Sequence, residues 1–412
     1  MANKRIVIVG GGAAGLMAAI WAAGEPHEVL ILERMPSPGR KILIAGGGRC
    51  NVLPSQVRAN QYHTESSQSL FKKIFQSWSL PGQQRFFEET LGIPLKIEEE
   101  TGKVFPTSDR AADVLQGLLN EAMRRGARLR VKSSVEGIIR DGACWRVSLA
   151  EGETLEADAL IIATGGLSVP KTGSDGTGIR LVRALGHTTH TLYPALTPLL
   201  TTYRPHHDLA GISLNVTLFA PQGNSIKKGE RAEGGFLFTH RGYSGPTVLD
   251  LSHHAVRARG SAAQPLLVQW LPMDAEAWEA LFLKSAPTTH IRTLVRAQLP
   301  TRLADMLLEE SGAMERTVAE LRREERLRLV ECLTRYPLPY SGDEGYKKAE
   351  ITGGGVPLGE INPVTMESRL HPGLFLCGEI LDLFGPIGGY NFLWAWATGR
   401  LAGQGARHIS EV

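Results

Sequence analysis

The fold is decided by ten residues near the start of the chain, Ile6-Val7-Ile8-Val9-Gly10-Gly11-Gly12-Ala13-Ala14-Gly15. The four apolar residues predict a buried strand, and the Gly-x-Gly-x-x-Gly spacing is typical of a turn into a helix that binds a dinucleotide. Residues 29–32 predict the next strand, which ends in Glu33. At this place in a βαβ unit an acidic side chain binds a ribose hydroxyl and disfavours a 2′-phosphate.

Each glycine of the motif has its own predicted role. Gly10 makes the tight turn, Gly12 lets the backbone approach a pyrophosphate, and Gly15 permits close packing of the helix on the strand. The phosphates would lie at a helix N-terminus, where N–H groups and the helix dipole favour anions. The segment therefore predicts a dinucleotide-binding domain.

The length and composition indicate a soluble globular protein of two or three domains. The chain has 412 residues, of which 42% are hydrophobic and 21% charged. The net charge of +3 is too small to require a nucleic-acid partner, but it leaves RNA binding open. No apolar run approaches the length of about 18 residues that spans a membrane. We therefore expect a cytoplasmic protein without a membrane partner, and the oligomeric state stays open.

The cysteines and histidines predict neither disulfides nor a metal site. The four cysteines are scattered without a Cys-x-x-Cys pair and are expected to be reduced thiols: Cys50, Cys144, Cys332 and Cys377. Two pairs of adjacent histidines, at 206–207 and 253–254, lack an evident carboxylate or cysteine companion in the sequence. We therefore expect no metal.

Hydrophobic periodicity predicts the elements that follow the first βαβ unit. Residues 39–51 are too rich in glycine for a regular element. Helices are predicted at 68–78, at 83–91, and from a cap at Ser108 or Asp109 to a stop at Gly126. Strands are predicted at 129–131, 135–140 and 144–149, with a hairpin turn at Asp141-Gly142, and residues 159–166 predict a buried strand that ends in a glycine pair.

Shifts in composition predict how the chain is divided into domains. Both ends, 1–192 and 346–412, have the glycine-rich character of a doubly wound, Rossmann-like α/β domain. Residues 193–273 are rich in short strands, to which 334–345 return, and residues 274–333 are helical. The simplest arrangement is one nucleotide-binding domain made of both ends, with the middle inserted.

The order of the motifs resembles that of the two-dinucleotide-binding-motif flavoproteins, which hold FAD extended across a doubly wound sheet. More narrowly, it resembles the HI0933-like flavoprotein family, also called the BaiN or YhiN type. The stretches that carry this resemblance are Gly39-Arg40-Lys41, Ala45-Gly46-Gly47-Gly48-Arg49-Cys50-Asn51, Phe238-Thr239-His240 with Ser244-Gly245-Pro246, Thr352-Gly353-Gly354-Gly355-Val356, and Gly388-Gly389-Tyr390-Asn391.

The resemblance implies an FAD domain with a β-barrel-like insertion and a small helical domain. It implies that Gly10, Gly12 and Gly15 bind the pyrophosphate, Glu33 the adenosine ribose and Gly378-Glu379 the ribityl-phosphate end, and that residues 388–391 lie beside the isoalloxazine. Further implied cofactor contacts are Ala13, Ala14, Arg34, Gly39, Arg40, Lys41, Gly47, Gly48, Arg49, Val135, Ala163, Thr164, Gly165 and Gly166.

Five residues are candidates for catalysis. Tyr390 and Asn391 open the last helix beside the expected flavin, although Asn391 is equally suited to cap the backbone. Arg49 is suited to hold a substrate carbonyl or the pyrimidine edge of the flavin, or to brace the backbone. Cys50 is a nucleophile or proton donor, or a buried thiol. His240 is a proton donor, or a structural histidine in a loop.

The predicted function is an FAD-dependent oxidoreductase that transfers a hydride between flavin N5 and a C=C, C=N or C–N bond, with reduction favoured. No second Gly-x-Gly-x-x-Gly unit is present. Either NADH or NADPH therefore binds transiently near the flavin, or the electrons come from another donor. The alternatives are reduction of uridine to dihydrouridine in ribosomal RNA, amine oxidation, a non-catalytic regulatory flavin module, and NAD instead of FAD at the first motif.

Overall fold

The computed structural model describes residues 3–222, 225–258 and 265–408. The chain forms two compact units. The first contains Met1–Pro194 and Glu350–Val412, and the second is Ala195–Ala349. Both ends of the chain therefore enter one unit, and the finer division into four segments stays a prediction.

The strands of the described residues are β1 Arg5–Val9, β2 Glu28–Leu32, β3 Leu53–Pro54, β4 Leu95–Glu98, β5 Lys103–Pro106, β6 Ala127–Arg130, β7 Val135–Asp141, β8 Cys144–Leu149, β9 Thr154–Ala157, β10 Ala159–Ile162, β11 His190–Ala195, β12 Leu199–Leu200, β13 Ser213–Gln222, β14 Ser225–Phe238, β15 Gly242–Ser244, β16 Leu267–Gln269, β17 Tyr336–Pro337, β18 Gly342–Asp343, β19 Ile351–Gly355 and β20 Leu374–Leu376.

The α-helices of the same residues are α1 Ala13–Ala22, α2 Arg40–Ile44, α3 Gln68–Gln76, α4 Leu80–Arg85, α5 Ala111–Arg124, α6 Thr177–Ala184, α7 Arg204–His207, α8 Pro246–Arg257, α9 Ala275–Lys284, α10 Ile291–Arg296, α11 Thr301–Ser311, α12 Arg323–Thr334 and α13 Tyr390–Arg407.

A parallel sheet organises the first unit and confirms the predicted Rossmann-like fold. Its strand order in the described residues is β20-β10-β1-β2-β6, so the last strand of the chain lies in the same sheet as the first. Val9 pairs with both Ile162 and Leu32, which brings the carboxyl ends of three strands to one edge. The strand β10 is buried along its whole length, as expected for a parallel sheet covered on both faces.

The first and last long helices pack closely in this unit. A Cβ atom on Gly399 would lie 2.4 Å from the carbonyl oxygen of Ala14, so α13 approaches α1 where α13 has glycine. The buried core includes Leu16, Ile161 and Trp396. This packing fixes α13 relative to the sheet edge where the cofactor motifs end.

The second unit combines an antiparallel sheet with helices. The sheet order is β17-β16-β13-β14-β15-β12-β18 in the described residues. In β13 the buried residues Val216, Leu218 and Ala220 alternate with more exposed ones, as expected for a sheet with one packed face. Trp278 and Leu307, from the helices, join the same core.

Two local predictions are wrong in detail. Residues 40–44 form the short helix α2, because a pentamer without glycine follows Gly39, which has φ of +65°. Neither Ser108 nor Asp109 caps α5, whose N-cap is Arg110. Asp109 instead has φ of +53° and pairs its carboxylate with Lys96.

No helix of the described residues is both long and apolar enough to cross a membrane.

Candidate cofactor and active site

The dinucleotide turn lies at the carboxyl end of β1, where Gly10 has φ of +107°. A Cβ atom on Gly10 would lie 2.5 Å from the carbonyl oxygen of Ala163, and one on Gly15 would lie 1.9 Å from that of Gly10. Both positions therefore require glycine, which confirms their predicted structural roles. A Cβ atom on Gly12 would meet no described atom within 4 Å. The structure leaves room for an anion at the N-terminus of α1.

The side chain of Glu33 is buried beside this turn. Its Oε2 accepts a hydrogen bond from the N–H of Gly11 at 2.9 Å, and its Oε1 accepts one from Met35 at 2.8 Å. Burial raises the pKa of Glu33, and the two N–H donors offset part of the shift. Each carboxylate oxygen keeps a lone pair that is able to accept a hydrogen bond from a hydroxyl group. The contact of Glu33 with the adenosine ribose stays a prediction.

Glu379 is the centre of a polar network just after β20. Its Oε2 lies 2.6 Å from Nζ of Lys41, and its Oε1 accepts the N–H of Thr352 at 3.0 Å and the hydroxyl of Ser168. Lys41 also donates to Oγ of Ser168 at 2.6 Å. The side chains of Lys41 and Glu379 are only 26% and 11% exposed. The network therefore fixes a charged pair at the ligand edge of the sheet.

The same network holds the loop that follows β10. Thr352 Oγ1 accepts the N–H of Leu167 at 2.7 Å. A Cβ atom on Gly166 would lie 2.4 Å from Thr352 Oγ1 and 3.1 Å from Glu379 Oε1. Only glycine fits at position 166, which explains why the second residue of the glycine pair at 165–166 has no side chain.

The second glycine turn leads into α13. Gly388 and Gly389 have φ of +103° and +96°, and Gly389 is the N-cap of the helix. Asn391 Oδ1 accepts the N–H of Gly385 at 2.9 Å, and its Nδ2 donates to the carbonyl oxygen of Gly385 at 3.0 Å. Asn391 therefore braces the backbone of this turn, which corresponds to the alternative role stated for it.

Tyr390 is held on the flank of this turn. Its hydroxyl donates to the carbonyl oxygen of Gln56 at 3.1 Å, and its ring packs edge to face on Tyr62 at 5.8 Å between centroids. A contact of Tyr390 with the flavin stays a prediction.

Arg49 and Cys50 have structural partners. Arg49 donates to Glu98 Oε1 at 3.0 Å and lies 4.0 Å above the ring of Phe105. Cys50 is fully buried, and burial raises the pKa of its thiol to about 12. Both environments favour the structural alternatives, although the catalytic roles stay predictions.

His240 belongs to the second unit. It is exposed in the turn between β14 and β15, which is closed by a hydrogen bond from the N–H of Thr239 to the carbonyl oxygen of Gly242 at 2.8 Å. The role of His240 as a proton donor stays a prediction.

The other predicted contacts occupy several places around the first unit. The N–H of Gly39 donates to the carbonyl oxygen of Gly11 at 2.9 Å, which joins the start of α2 to the dinucleotide turn. Arg34 forms an ion pair with Asp175. Val135 is buried at the start of β7, and a Cβ atom on Gly47 would meet no described atom within 4 Å.

The comparisons with known proteins agree with this geometry. The model of the HI0933-like protein Rossmann domain matches residues 4–405. The chain belongs to the HI0933-like family.

Two characterised relatives are similar over nearly their whole length. The 3-dehydro-bile acid delta(4,6)-reductase of Clostridium scindens is 34% identical over 411 residues, 98% of this chain and 99% of that protein. The ribosomal RNA dihydrouridine synthase of Escherichia coli is 30% identical over 400 residues, 95% of each chain.

A solved structure shows the same fold. The FrdA chain of a quinol fumarate reductase variant from E. coli is 17% identical, with a TM-score of 0.51 over 99% of this chain and 70% of its own. Membership of the HI0933-like family makes the protein an FAD-dependent oxidoreductase. The open space at Gly12 and the glycine turn before α13 fit the phosphate and ring ends of that cofactor.

The expectation about the histidine pairs needs a correction. Glu230 is a carboxylate companion, with Oε2 at 2.8 Å from Nε2 of His254 and 3.6 Å from that of His253. His206 lies in the core of the second unit, where its Nδ1 is 2.6 Å from the hydroxyl of Tyr243 and its Nε2 is 3.1 Å from that of Tyr336. These partners are distant from the histidines in sequence, so no local pattern predicted them.

The sequence analysis assigned no site role to three residues near the predicted cofactor contacts. Ser168 and Thr352 complete the Glu379 network, and Lys103 packs on the turn before α13, where a Cβ atom on Gly388 would lie 3.5 Å from Lys103 Cγ. The signals available were a serine two residues after the glycine pair and a threonine before the glycine run that begins at Gly353. No motif marked Lys103.

Proposed function

We propose that the protein reduces a carbon–carbon double bond conjugated to a carbonyl in a small molecule, with NADH or NADPH as the electron donor. The observation that carries the proposal is the full-length similarity to two reductases. One is named for the Δ4,6 bonds of a 3-dehydro-bile acid, and the other for dihydrouridine. Uracil C5=C6 and a 3-oxo-4-ene are both double bonds polarised by a conjugated carbonyl, so one chemistry covers both names.

Once reduced by NADH or NADPH, bound FAD would supply a hydride from N5 to the electron-poor carbon of such a bond, and the adjacent carbon would take a proton. In this proposal, residues 1–192 and 346–412 form the FAD domain. Gly12 and the N-terminus of α1 bind the pyrophosphate, and Glu379, oriented by Lys41, binds the ribityl end. The N–H groups at the start of α13 then stabilise negative charge at the other end of the cofactor.

A small molecule is favoured over RNA because three arginines of the helical region are neutralised by carboxylates. Arg316 pairs with Glu325 at 2.7 Å, Arg296 with Asp305 at 2.6 Å and Arg326 with Glu279 at 3.1 Å. Strong phosphate binding requires arginines and lysines that exchange counterions for phosphates. Mixed charges at short range are instead typical of a solvated helix surface.

The experiment that tests the proposal is anaerobic reduction followed by reoxidation. NADH or NADPH is expected to bleach the flavin absorbance at about 450 nm. Addition of a 3-oxo-4-ene steroid or cyclohexenone is then expected to restore it and to yield the saturated ketone. Saturated substrates of matched size serve as controls.

Each other outcome points to another reaction. Reoxidation by ribosomal RNA alone would replace the small molecule by RNA, and reoxidation by dioxygen alone would indicate an oxidase such as an amine oxidase. A flavin that no acceptor reoxidises would indicate a regulatory module.

A further inference from the structure

Arg49 and Lys103 are two cations beside Glu98, but they differ in their partners. Arg49 forms ion pairs with Glu98 at 3.0 Å and Asp109 at 3.9 Å. Among the described residues, Lys103 forms no ion pair and no side-chain hydrogen bond. Arg49 is therefore held by direct ion pairs, whereas the charge of Lys103 acts on the carboxyls of Glu98 and Glu350 without a direct ion pair.

The backbone fixes where the Lys103 side chain runs. Lys103 begins β5, which pairs with β3 at Pro54 and with β4 at Glu98. A Cβ atom on Gly388 would lie 3.5 Å from Cγ and 3.7 Å from Cε of Lys103, so the aliphatic stem packs along this glycine. A Cβ atom on the next residue, Gly389, would lie 2.4 Å from the carbonyl carbon of Leu53, so the turn and β3 are in direct contact.

The carboxyl of Glu350 is affected by the charges of both Lys103 and Lys41. Glu350 keeps access to solvent, yet loss of hydration raises the pKa of its carboxyl, and the charges of Lys103 and Lys41 oppose that shift. Lys41 is the cation that holds Glu379. Both lysines therefore lie within electrostatic range of one carboxyl of the first unit.

We propose that the ammonium group of Lys103 lies against the pyrimidine edge of bound FAD and stabilises the negative charge that the cofactor gains on reduction. The inference rests on the proposed function, because it needs the flavin ring beside Gly388. Lys103 takes the role that sequence reasoning considered for Arg49. The side chain is suited to it, since a lysine ammonium is a compact charge on a flexible stem.

The test compares Lys103→Met, which removes the charge and keeps the stem, with Lys103→Arg, which keeps the charge. Lys72→Met, at an exposed lysine on α3, is the matched control. The readouts are bound FAD per chain, its midpoint potential, and its affinity for sulfite, which is higher where a positive charge lies at the pyrimidine edge. None of these readouts depends on knowing the substrate.

We expect Lys103→Met to keep FAD and to lower both the sulfite affinity and the equilibrium constant for reduction about tenfold, or about 30 mV for a two-electron couple. Lys103→Arg and Lys72→Met are expected to match the wild-type protein. Wild-type potential and sulfite affinity in Lys103→Met would overturn the inference, and so would equal losses in both Lys103 variants. A wild-type protein that binds FAD but reduces no enone would refute the proposed function and leave the Lys103 result intact.

Discussion

At the scale of single residues, Gly12 and Gly15 respond differently to one added methyl group. Gly12→Ala places Cβ in open space, so the fold is expected to persist while FAD affinity falls about tenfold or more, because the methyl group occupies the phosphate cradle. Gly15→Ala places Cβ 1.9 Å from the carbonyl oxygen of Gly10 and is expected to destabilise the protein by about 1–3 kcal/mol or more. Thermal unfolding of the apoprotein and FAD titration separate the two effects.

The two variants serve as controls for each other. Unchanged FAD affinity in Gly12→Ala would mean that the pyrophosphate lies elsewhere. A Gly15→Ala protein as stable as the wild type would contradict the packing of α1 on the glycine turn.

The thiol of Cys50 is expected to be unreactive in the folded protein, because it is buried and its pKa is raised to about 12. At pH 8, native protein should show fast labelling by a thiol reagent at Cys144 and Cys332 at most, while all four cysteines react in denaturant. Cys50→Ala should keep the rate of flavin reduction. Rapid labelling of Cys50, or loss of that rate with FAD still bound, would restore a catalytic role.

Local backbone chemistry explains which of these residues could be predicted from sequence. The roles of Gly10 and Gly15 follow from steric limits that act within a few residues, so a short motif is sufficient. The partner of Arg49 is Glu98, which is 49 positions away, and no local pattern reveals it. Asp109 failed as a helix cap for the same reason, since its carboxylate is held by Lys96.

At the scale of elements, the pair of Lys41 and Glu379 joins α2 to the end of β20. Lys41→Met leaves Glu379 with little solvent and no cation, and we expect a loss of about 3 kcal/mol in the free energy of unfolding, because removal of one partner leaves a buried charge. The double variant with Glu379→Gln should recover part of this loss. Denaturant unfolding of the single and double variants gives the coupling energy, and additive effects would contradict a direct pair.

A second prediction concerns the buried histidine that links α7 to β15 and β17. Burial, with a smaller effect of His207, lowers the pKa of His206 to about 4 from its usual 6.5. Between about pH 6.5 and about pH 4, the unfolded chain binds a proton at His206 that the folded chain does not. The free energy of unfolding should therefore fall by about 3 kcal/mol as the pH is lowered through this range.

Denaturant unfolding at pH 7 and pH 5 measures this effect. His206→Gln should show a smaller acid loss than the wild type, whereas His240→Gln, at an exposed histidine of the same unit, should show the full loss. Equal acid losses in all three proteins would mean that His206 is not the group responsible. The hydroxyls of Tyr243 and Tyr336 face the ring of His206, and Glu310 accepts a hydrogen bond from Tyr336 at 3.2 Å.

Elements were predicted well where a strong period or a glycine determined them. The strand at 144–149 matches the structure, as does the helix that opens after Gly389. The buried strand predicted from residue 159 to the glycine pair is present but ends earlier, at Ile162. The helix α2 was missed because the glycines on both sides dominated the local composition. Its hydrogen bond from Gly39 to Gly11 is a tertiary contact that composition does not encode.

At the scale of the whole molecule, the order of the cofactor motifs was enough to predict that both ends of the chain share a sheet. The pairing of β20 with β10 and of β10 with β1 confirms it. The substrate was not predictable, because it depends on side chains brought together from distant positions. Relatives with one fold and two named substrates show the same limit.

We expect the two ends of the chain to bind one FAD together. The most direct measurement is the flavin content of the purified protein after incubation with FAD and gel filtration, read from absorbance bands at about 370 and 450 nm and from the nucleotide released on denaturation. We predict one FAD per chain in the wild-type protein and a strongly reduced FAD occupancy in Gly12→Ala. A protein that retains no flavin, or that binds NAD in its place, would contradict this prediction.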